Sequence, residues 1–260
     1  MRKLQISDRE AVEAYFRRNR WDTFYHYFPL IYAMSEVNEE PFEYDPEFNQ
    51  LWTGKDELLY PASIYRKRVW IGPNKCDARA GGYGWKNELY DVNYIYDLEQ
   101  TLQIKNFRDN VKKFHQKHVS GGEWHKLDGP DPRALEVVSR WYSTSQRENF
   151  TDFGYTMWLL ENFHLFPDLR ARLLCLDEKA IGFSLWGQLT EGTGIHIISK
   201  EVGMPYAQDV LRAFTYQEMK EAGLKYCNDG SDAGEHGIMV YKHKLRPRYI
   251  IPIYSWIREA

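Results

Sequence analysis

The chain has 260 residues, 43% of them hydrophobic, and a formal net charge of −3 at pH 7. This length fits one large domain or two of ordinary size, and the apolar content is sufficient for a packed core. The slightly acidic charge excludes a protein that holds nucleic acid or a membrane surface by bulk charge, and it leaves only local basic patches for such contacts.

The cysteines and the opening residues indicate the compartment in which the protein works. Cys76, Cys175 and Cys227 lie far apart in the chain, which favours a reducing compartment and argues against a disulfide scaffold. The start, MRKLQISDRE, has no apolar segment typical of a secretory signal. No run reaches the roughly 18 apolar residues of a membrane span. We therefore expect a cytoplasmic protein without a membrane span.

The first half contains several short predicted elements. The capping-box pair Ser7 and Glu10 predicts a helix in ISDREAVEAYFRRN. Short strands are predicted at 57–73, where β-branched and aromatic residues mix with turn residues. Another strand is predicted at the end of segment 76–98. Residues 97–118 are predicted as one long basic helix with an apolar side.

The second half has a regular order of predicted elements. Residues 119–133 break the preceding helix with glycine and proline, and we interpret them as the connector between the halves. Pro205 and Gly223 bracket a helix in the usual asymmetric way. The predicted order is two helices, three strands, then helix, strand, helix and strand. This order predicts an α/β fold with an α+β mixed sheet.

That order resembles the GCN5-related N-acetyltransferase fold, in which two strands splay apart to admit the acceptor. The segment NDGSDAGEHGIMVYKHKLRP is similar to the phosphatidylglycerol lysyltransferase C-terminal family, which has an Asn-x-x-x-Asp-x-Gly turn followed by a helix with a Lys and a closing Pro. The matching positions are Asn228, Asp232, Gly234, Lys242 and Pro247.

A second match to the family is YIYDLEQTLQIKNFRDNVKKF, with Asn110 and Phe114 at its end. The resemblance implies tandem acetyltransferase-like lobes, the N-terminal one degenerate. We place them at 1–118, which includes the basic linker helix, and at 119–260, which carries the site. It also implies aminoacyl-tRNA as the acyl donor, with no cofactor. Because no membrane span is predicted, we expect a small-molecule or peptide acceptor with an amine or hydroxyl group.

The resemblance implies three catalytic residues. Asp232 would act as a base or hold the incoming ammonium group, and Lys242 would contact an oxyanion or phosphate. Tyr241 would supply the acid for the leaving group. Each has a structural alternative: Asp232 as a helix cap, Lys242 as a solvated lysine and Tyr241 as a packed aromatic. Asp229 is interpreted as a turn residue.

Further residues are expected to bind substrate. Asn228 would orient a carbonyl or serve as a turn side chain. Glu201 lies in the loop before the 205–222 helix, and Tyr206 lies at the start of that helix. Arg246 and Arg248 would contact tRNA phosphates. A second basic cluster, which has a solvated helix face as its ordinary interpretation, lies on the linker helix at Lys105, Arg108, Lys112, Lys113 and Lys117.

Two other functions and a metal site are the alternatives to this interpretation. A coenzyme A-dependent N-acyltransferase is the alternative enzyme, but SKEVGMPYAQD lacks a glycine-rich loop for a pyrophosphate and carries a proline and two carboxylates. A non-catalytic module that binds RNA or protein through the basic clusters is the third hypothesis. We expect no metal, because His115, His118 and His125 lack a companion motif.

Overall fold

The computed structural model describes residues 2–19, 23–39, 41–47, 50–53, 57–60, 68–71, 85–118, 122–144 and 152–258. The strands of the first half are β1 (Arg2–Lys3), β2 (Glu43–Asp45), β3 (Gln50–Thr53), β4 (Glu57–Tyr60), β5 (Arg68–Ile71) and β6 (Trp85–Asp97). Its α-helices are α1 (Arg9–Asn19), α2 (Phe28–Val37), α3 (Leu98–Leu102) and α4 (Lys105–Lys117).

Two predictions for the first half need correction. The cap ahead of α1 lies two residues earlier than predicted, because the Asp8 carboxylate accepts the Gln5 backbone N–H at 2.9 Å. The prediction of a single helix at 97–118 is wrong. It is divided into α3 and α4, because the backbone of Ile104 is extended (φ −61°, ψ 121°).

The second half follows the predicted order of elements. Its elements are β7 (Glu123–Leu127), α5 (Pro132–Thr144), α6 (Phe153–Asn162), β8 (Arg170–Leu176), β9 (Lys179–Gln188), β10 (Thr193–Glu201), α7 (Ala207–Glu221), β11 (Tyr226–Asn228), α8 (His236–Lys244) and β12 (Tyr249–Arg258). The interpretation of residues 119–133 as a connector is wrong in part. Strand β7 lies within that segment and pairs antiparallel with β8 from Glu123 to Leu127.

The twelve strands in the described part of the chain belong to one sheet, in the order β1-β2-β3-β4-β5-β12-β6-β11-β10-β9-β8-β7. The predicted mixed α/β class is therefore confirmed. Strand β6 of the first half lies between β11 and β12 of the second half and is antiparallel to both. The lobe boundary at 118/119 stays a prediction, but the sheet is shared across it.

The helices of the second half cover both faces of the sheet. Phe183 and Leu185 of β9 belong to the core cluster that includes residues of α5 and α6. The alternate residues of β9 contact another helix: the Ser184 hydroxyl is hydrogen-bonded to the Thr215 hydroxyl of α7 at 2.8 Å, and Trp186 packs in a cluster with residues of α7. Because successive side chains of a strand point to opposite faces, α7 lies on the face opposite α5 and α6.

The parallel strands β10 and β11 pair over only three positions, which end at Ile195 and Asn228. Strand β10 continues to Glu201 through an irregularity between His196 and Ile198, whereas the chain turns away after β11. Gly230 in this turn has φ +62°, and a Cβ there would lie 2.9 Å from the Phe24 ring. The two strands therefore separate at a turn in which a residue with a side chain would have a strained backbone and would clash with Phe24.

Candidate active site

A cavity of about 590 Å³ lies where β10 and β11 separate. The second half provides its charged and polar lining, which includes His196, Lys200, Arg212, Asp229, Glu235 and Lys242. The first half provides Phe24, Tyr25, Leu30 and Met34. Both halves are therefore needed to form this cavity, which has one apolar wall and one charged wall.

Asp229 is the centre of the charged wall and is 5% exposed. Its Oδ1 accepts a hydrogen bond from His196 Nδ1 at 2.6 Å. Its Oδ2 accepts from Arg212 Nε at 3.1 Å and from the Tyr216 hydroxyl at 3.2 Å. The Lys242 ammonium donates to the Asp229 backbone carbonyl, and its Nζ lies 3.9 Å from Oδ2. One carboxylate thus contacts side chains from β10, α7 and α8.

The protonation states of this cluster follow from burial and mutual charge. Burial alone would raise the pKa of Asp229, but the charges of Arg212 and Lys242 outweigh it and hold that pKa well below its usual range. Burial lowers the pKa of Lys242 and of His196, and Asp229 opposes both shifts in part. The carboxylate is therefore ionised at neutral pH, while His196 is uncharged.

The interpretation of Asp229 as a simple turn residue is wrong, because its carboxylate is buried among charged side chains. The structure pairs Lys242 with Asp229. The Asp232 carboxylate instead accepts the Tyr94 hydroxyl at 2.6 Å and the Gly234 backbone N–H at 2.9 Å. These bonds hold the turn before α8. A catalytic role for Asp232 stays a prediction.

Tyr241 is on α8 next to Lys242, but its hydroxyl points to another partner. It donates to Asp209 Oδ1 at 2.6 Å, and Asn110 Nδ2 donates to the other oxygen of Asp209 at 2.8 Å. The Arg212 guanidinium lies 4.9 Å from the centre of the Tyr241 ring. Burial raises the pKa of Tyr241. These contacts join α4, α7 and α8, and an acid role for Tyr241 stays a prediction.

Asn228 is fully buried and stabilises the start of the turn. Its Oδ1 accepts the Gly230 backbone N–H at 2.9 Å, and its Nδ2 donates to Asn93 Oδ1 at 3.2 Å. Asn93 Oδ1 also accepts the Phe24 backbone N–H at 2.7 Å. This pair of asparagines therefore attaches the first-half wall of the cavity to the splayed strands.

Glu201 and Tyr206 lie at the entrance to α7. Glu201 Oε2 accepts the Met204 backbone N–H at 2.7 Å, and burial raises the pKa of Glu201. Tyr206 has a left-handed backbone (φ 70°). The ammonium groups of Lys113 and Lys117 lie 5.6 and 5.4 Å from the centre of its ring. A cationic and aromatic surface therefore adjoins α7, and substrate binding by these residues stays a prediction.

The predicted RNA-binding arginines are both exposed. Arg246 has φ +52° just after α8, and the Arg248 backbone N–H donates to the Ile95 carbonyl at 2.7 Å. Among the described residues, no three His, Cys, Asp or Glu side chains are grouped as a metal would require. No helix in the described part of the chain is long and apolar enough to cross a membrane.

Sequence reasoning did not single out three cavity residues, His196, Lys200 and Arg212. His196 stands inside the apolar strand run TGIHIISKE, and a histidine embedded in such a run is a signal that could have found it. Lys200 pairs with Asp152 at 2.8 Å, and its Nζ lies 3.7 Å from the centre of the Trp141 ring. Arg212 is on the buried side of α7, where arginine is rare unless it is paired.

Solved structures of other proteins share this fold. A conserved protein of unknown function from Bacteroides thetaiotaomicron matches 99% of both chains, with a TM-score of 0.77 and 14% identity. L-PGS from Bacillus licheniformis matches 96% of this chain and 91% of its own, with a TM-score of 0.66 and 16% identity. The C-terminal domain (DUF2156) of a putative lysylphosphatidylglycerol synthetase from Agrobacterium fabrum matches 89% of this chain and 88% of its own, with a TM-score of 0.65 and 12% identity.

No protein-family model and no curated protein matches the sequence. At the identities of the solved structures, the likeness establishes the fold. The chain therefore has the fold of the lysylphosphatidylglycerol synthetase C-terminal domain. The resemblance that the 228–247 segment indicated is confirmed at that level.

Proposed function

We propose that this chain is an acyltransferase that moves an aminoacyl group from aminoacyl-tRNA to an amine or hydroxyl acceptor in solution. The observation that carries the proposal is the buried Lys242 ammonium, which is 3% exposed and lines the cavity where β10 and β11 separate. A fixed cation in a site with little water stabilises the oxyanion that forms when a carbonyl is attacked.

The charge of the cluster supports the same chemistry. Arg212 and Lys242 face the single carboxylate of Asp229, while His196 is uncharged. These four residues therefore place two basic side chains against one carboxylate, an excess of basic groups. A developing oxyanion or a phosphate would balance that excess, and buried charges are tolerated best when they are paired. The cluster is therefore better suited to negative charge than to an ammonium group.

The walls of the cavity fit an acyl group and a small acceptor. Phe24, Leu30 and Met34 form an apolar wall opposite the charged cluster. Ligand sites of several hundred Å³ commonly combine an apolar lining with a few placed polar groups. The apolar wall would hold the acyl side chain, and the charged wall would act on the carbonyl.

The entrance to α7 favours aminoacyl-tRNA over coenzyme A as the donor. A pyrophosphate is normally held by free backbone N–H groups at a helix N-terminus. Here the Glu201 carboxylate accepts the Met204 N–H and also bonds the Gly203 N–H. An anionic side chain therefore occupies two backbone donors of the loop that leads into α7, and its charge would repel a pyrophosphate there.

The direct test is to offer the purified protein both donors with a mixture of amine and hydroxyl acceptors. We expect acceptor-dependent consumption of aminoacyl-tRNA and little consumption of acetyl-CoA. Use of acetyl-CoA alone would make the protein a coenzyme A-dependent N-acyltransferase. Consumption of neither donor, together with tight tRNA binding, would indicate a non-catalytic RNA-binding module.

A further inference from the structure

His196 is placed at the point where the two strands of the cavity part. It is the first residue of β10 beyond the last pair with β11, and it is 2% exposed. Its Nδ1 contacts Asp229 Oδ1 at 2.6 Å, although the two residues are 33 positions apart in the chain. His196 is also one of the residues that line the cavity. The chain therefore brings an imidazole and a carboxylate together beside the proposed acyl site.

The two ring nitrogens of His196 have different surroundings. An ionised carboxylate only accepts hydrogen bonds, so Nδ1 carries the proton that is shared with Asp229. In the neutral ring, Nε2 then has a free lone pair. Nε2 is buried and has no hydrogen-bond partner among the described residues. Buried polar atoms are nearly always satisfied in proteins, so this atom indicates a ligand or a function.

We propose that His196 is the general base of the transfer reaction and that Asp229 is its positioning residue. This role rests on the acyl transfer proposed above. A carboxylate that accepts from one ring nitrogen fixes the tautomer and stabilises the imidazolium when the other nitrogen takes a proton. Lys242 lies on the other side of Asp229, where it can act on the carbonyl oxygen without competing for the base.

The transfer step balances with no further reactant. The acceptor enters as a neutral amine or a hydroxyl, and its nucleophilic atom attacks the carbonyl carbon of the donor ester. A C–N or C–O bond forms while the carbonyl electron pair moves to oxygen, and Nε2 takes the acceptor's proton. The C–O bond to the sugar oxygen of the tRNA then breaks, and Nε2 returns the proton to that oxygen. His196 ends the cycle neutral.

The groups around His196 keep it in the basic form before substrate binds. Burial is the main cause of the lowered pKa of His196; the positive charges of Arg212 on α7 and Lys242 on α8 lower that pKa as well, and Asp229 opposes the shift. The other ionisable neighbours are Tyr216 of α7, whose ring centre lies 6.3 Å away, and Cys227 of β11. Burial raises the pKa of both, so they are uncharged at neutral pH.

The matched variant for this role is His196→Asn. The asparagine amide can still donate to Asp229, but it has no atom in the place of Nε2. We expect turnover to fall by about 10²–10⁴-fold, the range for general acid–base groups. The acidic limb of the pH–rate profile, with an apparent pKa below the ordinary value near 6.5, should disappear from the residual rate. His164→Ala, at an exposed position, is the control and should keep the wild-type profile.

His196→Ala provides a second measurement by leaving room for an added base. We expect imidazoles to restore turnover, with rates that increase with the basicity of the imidazole added. A rescue that depends only on size would show that His196 fills space and would overturn the proposal. Wild-type turnover in His196→Asn across the pH range would overturn it as well.

A readout that does not need activity separates this inference from the proposed function. In protein labelled with ¹⁵N-histidine, NMR should show His196 with the proton on Nδ1 and a bare Nε2. A proton on Nε2 would overturn the base assignment even if the enzyme is active. If wild-type protein transfers no acyl group from any donor, the proposed function fails and this role fails with it, whereas the tautomer still reports whether the geometry was right.

Discussion

Lys242 donates its ammonium to the backbone carbonyl of Asp229, 13 residues earlier in the chain, and its Nζ lies 3.9 Å from the carboxylate of the same residue. This contact attaches α8 to the turn where β10 and β11 part. The turn carries one cavity-lining charge and the helix carries the opposite one. Their joint placement provides the site with a fixed cation beside a fixed anion.

Replacement of Lys242 tests the cation. Lys242→Met keeps the length and the apolar stem but removes the charge. We expect turnover to fall by about 10²–10³-fold, the usual loss of one oxyanion donor, while the free energy of unfolding falls by about 1–3 kcal/mol for the lost hydrogen bond. The measurements are single-turnover kinetics and urea unfolding. Lys179→Met, at an exposed position of β9, is the control. Full turnover in Lys242→Met would remove this residue from the mechanism.

Replacement of Asp229 should lower the free energy of unfolding more than replacement of Asp232, the other aspartate of the turn. Asp229→Asn leaves the buried Arg212 cation without its counter-ion, and breaking one partner of a buried pair typically lowers the free energy of unfolding by about 3–5 kcal/mol. Asp232→Asn is the matched control, because it removes the same charge from the same turn and asparagine forms such turns well. Equal losses in the two variants would contradict the central place of Asp229.

Turnover of Asp232→Asn also tests the catalytic role that the resemblance implied. If Asp232 is a general base or holds the acceptor ammonium, the variant should lose about 10²-fold or more in turnover with little change in melting temperature. A rate near wild type would leave Asp232 with the structural role shown by its bonds to Tyr94 and Gly234.

The buried His26 should make the free energy of unfolding decrease in mild acid. Burial lowers the pKa of His26 to about 3, below its unfolded value near 6.5. Between these two pKa values the unfolded state binds a proton on His26 and the folded state does not. The stability that the neutral His26 contributes is therefore complete above about pH 6.5 and is lost as the pH falls from about 6.5 towards 3. The free energy of unfolding falls by up to about 1.4 kcal/mol per pH unit in this window. Urea unfolding at several pH values measures this. His26→Gln should reduce the slope in that window, and an unchanged slope would contradict the assignment.

The predicted contact of Arg246 and Arg248 with tRNA can be tested by measuring affinity at several salt concentrations. If tRNA binds at Arg246 and Arg248, the logarithm of affinity should fall linearly with the logarithm of salt concentration. The double variant Arg246→Ala and Arg248→Ala should flatten that slope by roughly one to two units. Lys126→Ala, an exposed change on β7, should leave it unaltered. A wild-type slope in the double variant would place the RNA elsewhere.

The sequence by itself determined the order of the second-half elements from α5 onwards, without β7, and the turn that ends β11. Hydrophobic periodicity, Pro205 and Gly223 were enough to predict their order, because these signals act within a few residues. The segment that begins with the Asn-x-x-x-Asp-x-Gly turn also drew attention to Lys242, which lines the cavity. It did not single out Asp229 as the aspartate that Lys242 contacts, because a turn motif does not state which of its two aspartates a distant side chain will meet.

Only the tertiary structure decided how the site is assembled. It places β6 between β11 and β12, brings Phe24 and Met34 of the first half to the cavity, and joins Asp229 to His196 across 33 residues and to Arg212 across 17. Local preferences do not encode these pairings. They arise because a buried carboxylate such as that of Asp229 requires hydrogen-bonding or charged partners. Those partners come from strands and helices that are far apart in the chain and meet only in the folded protein.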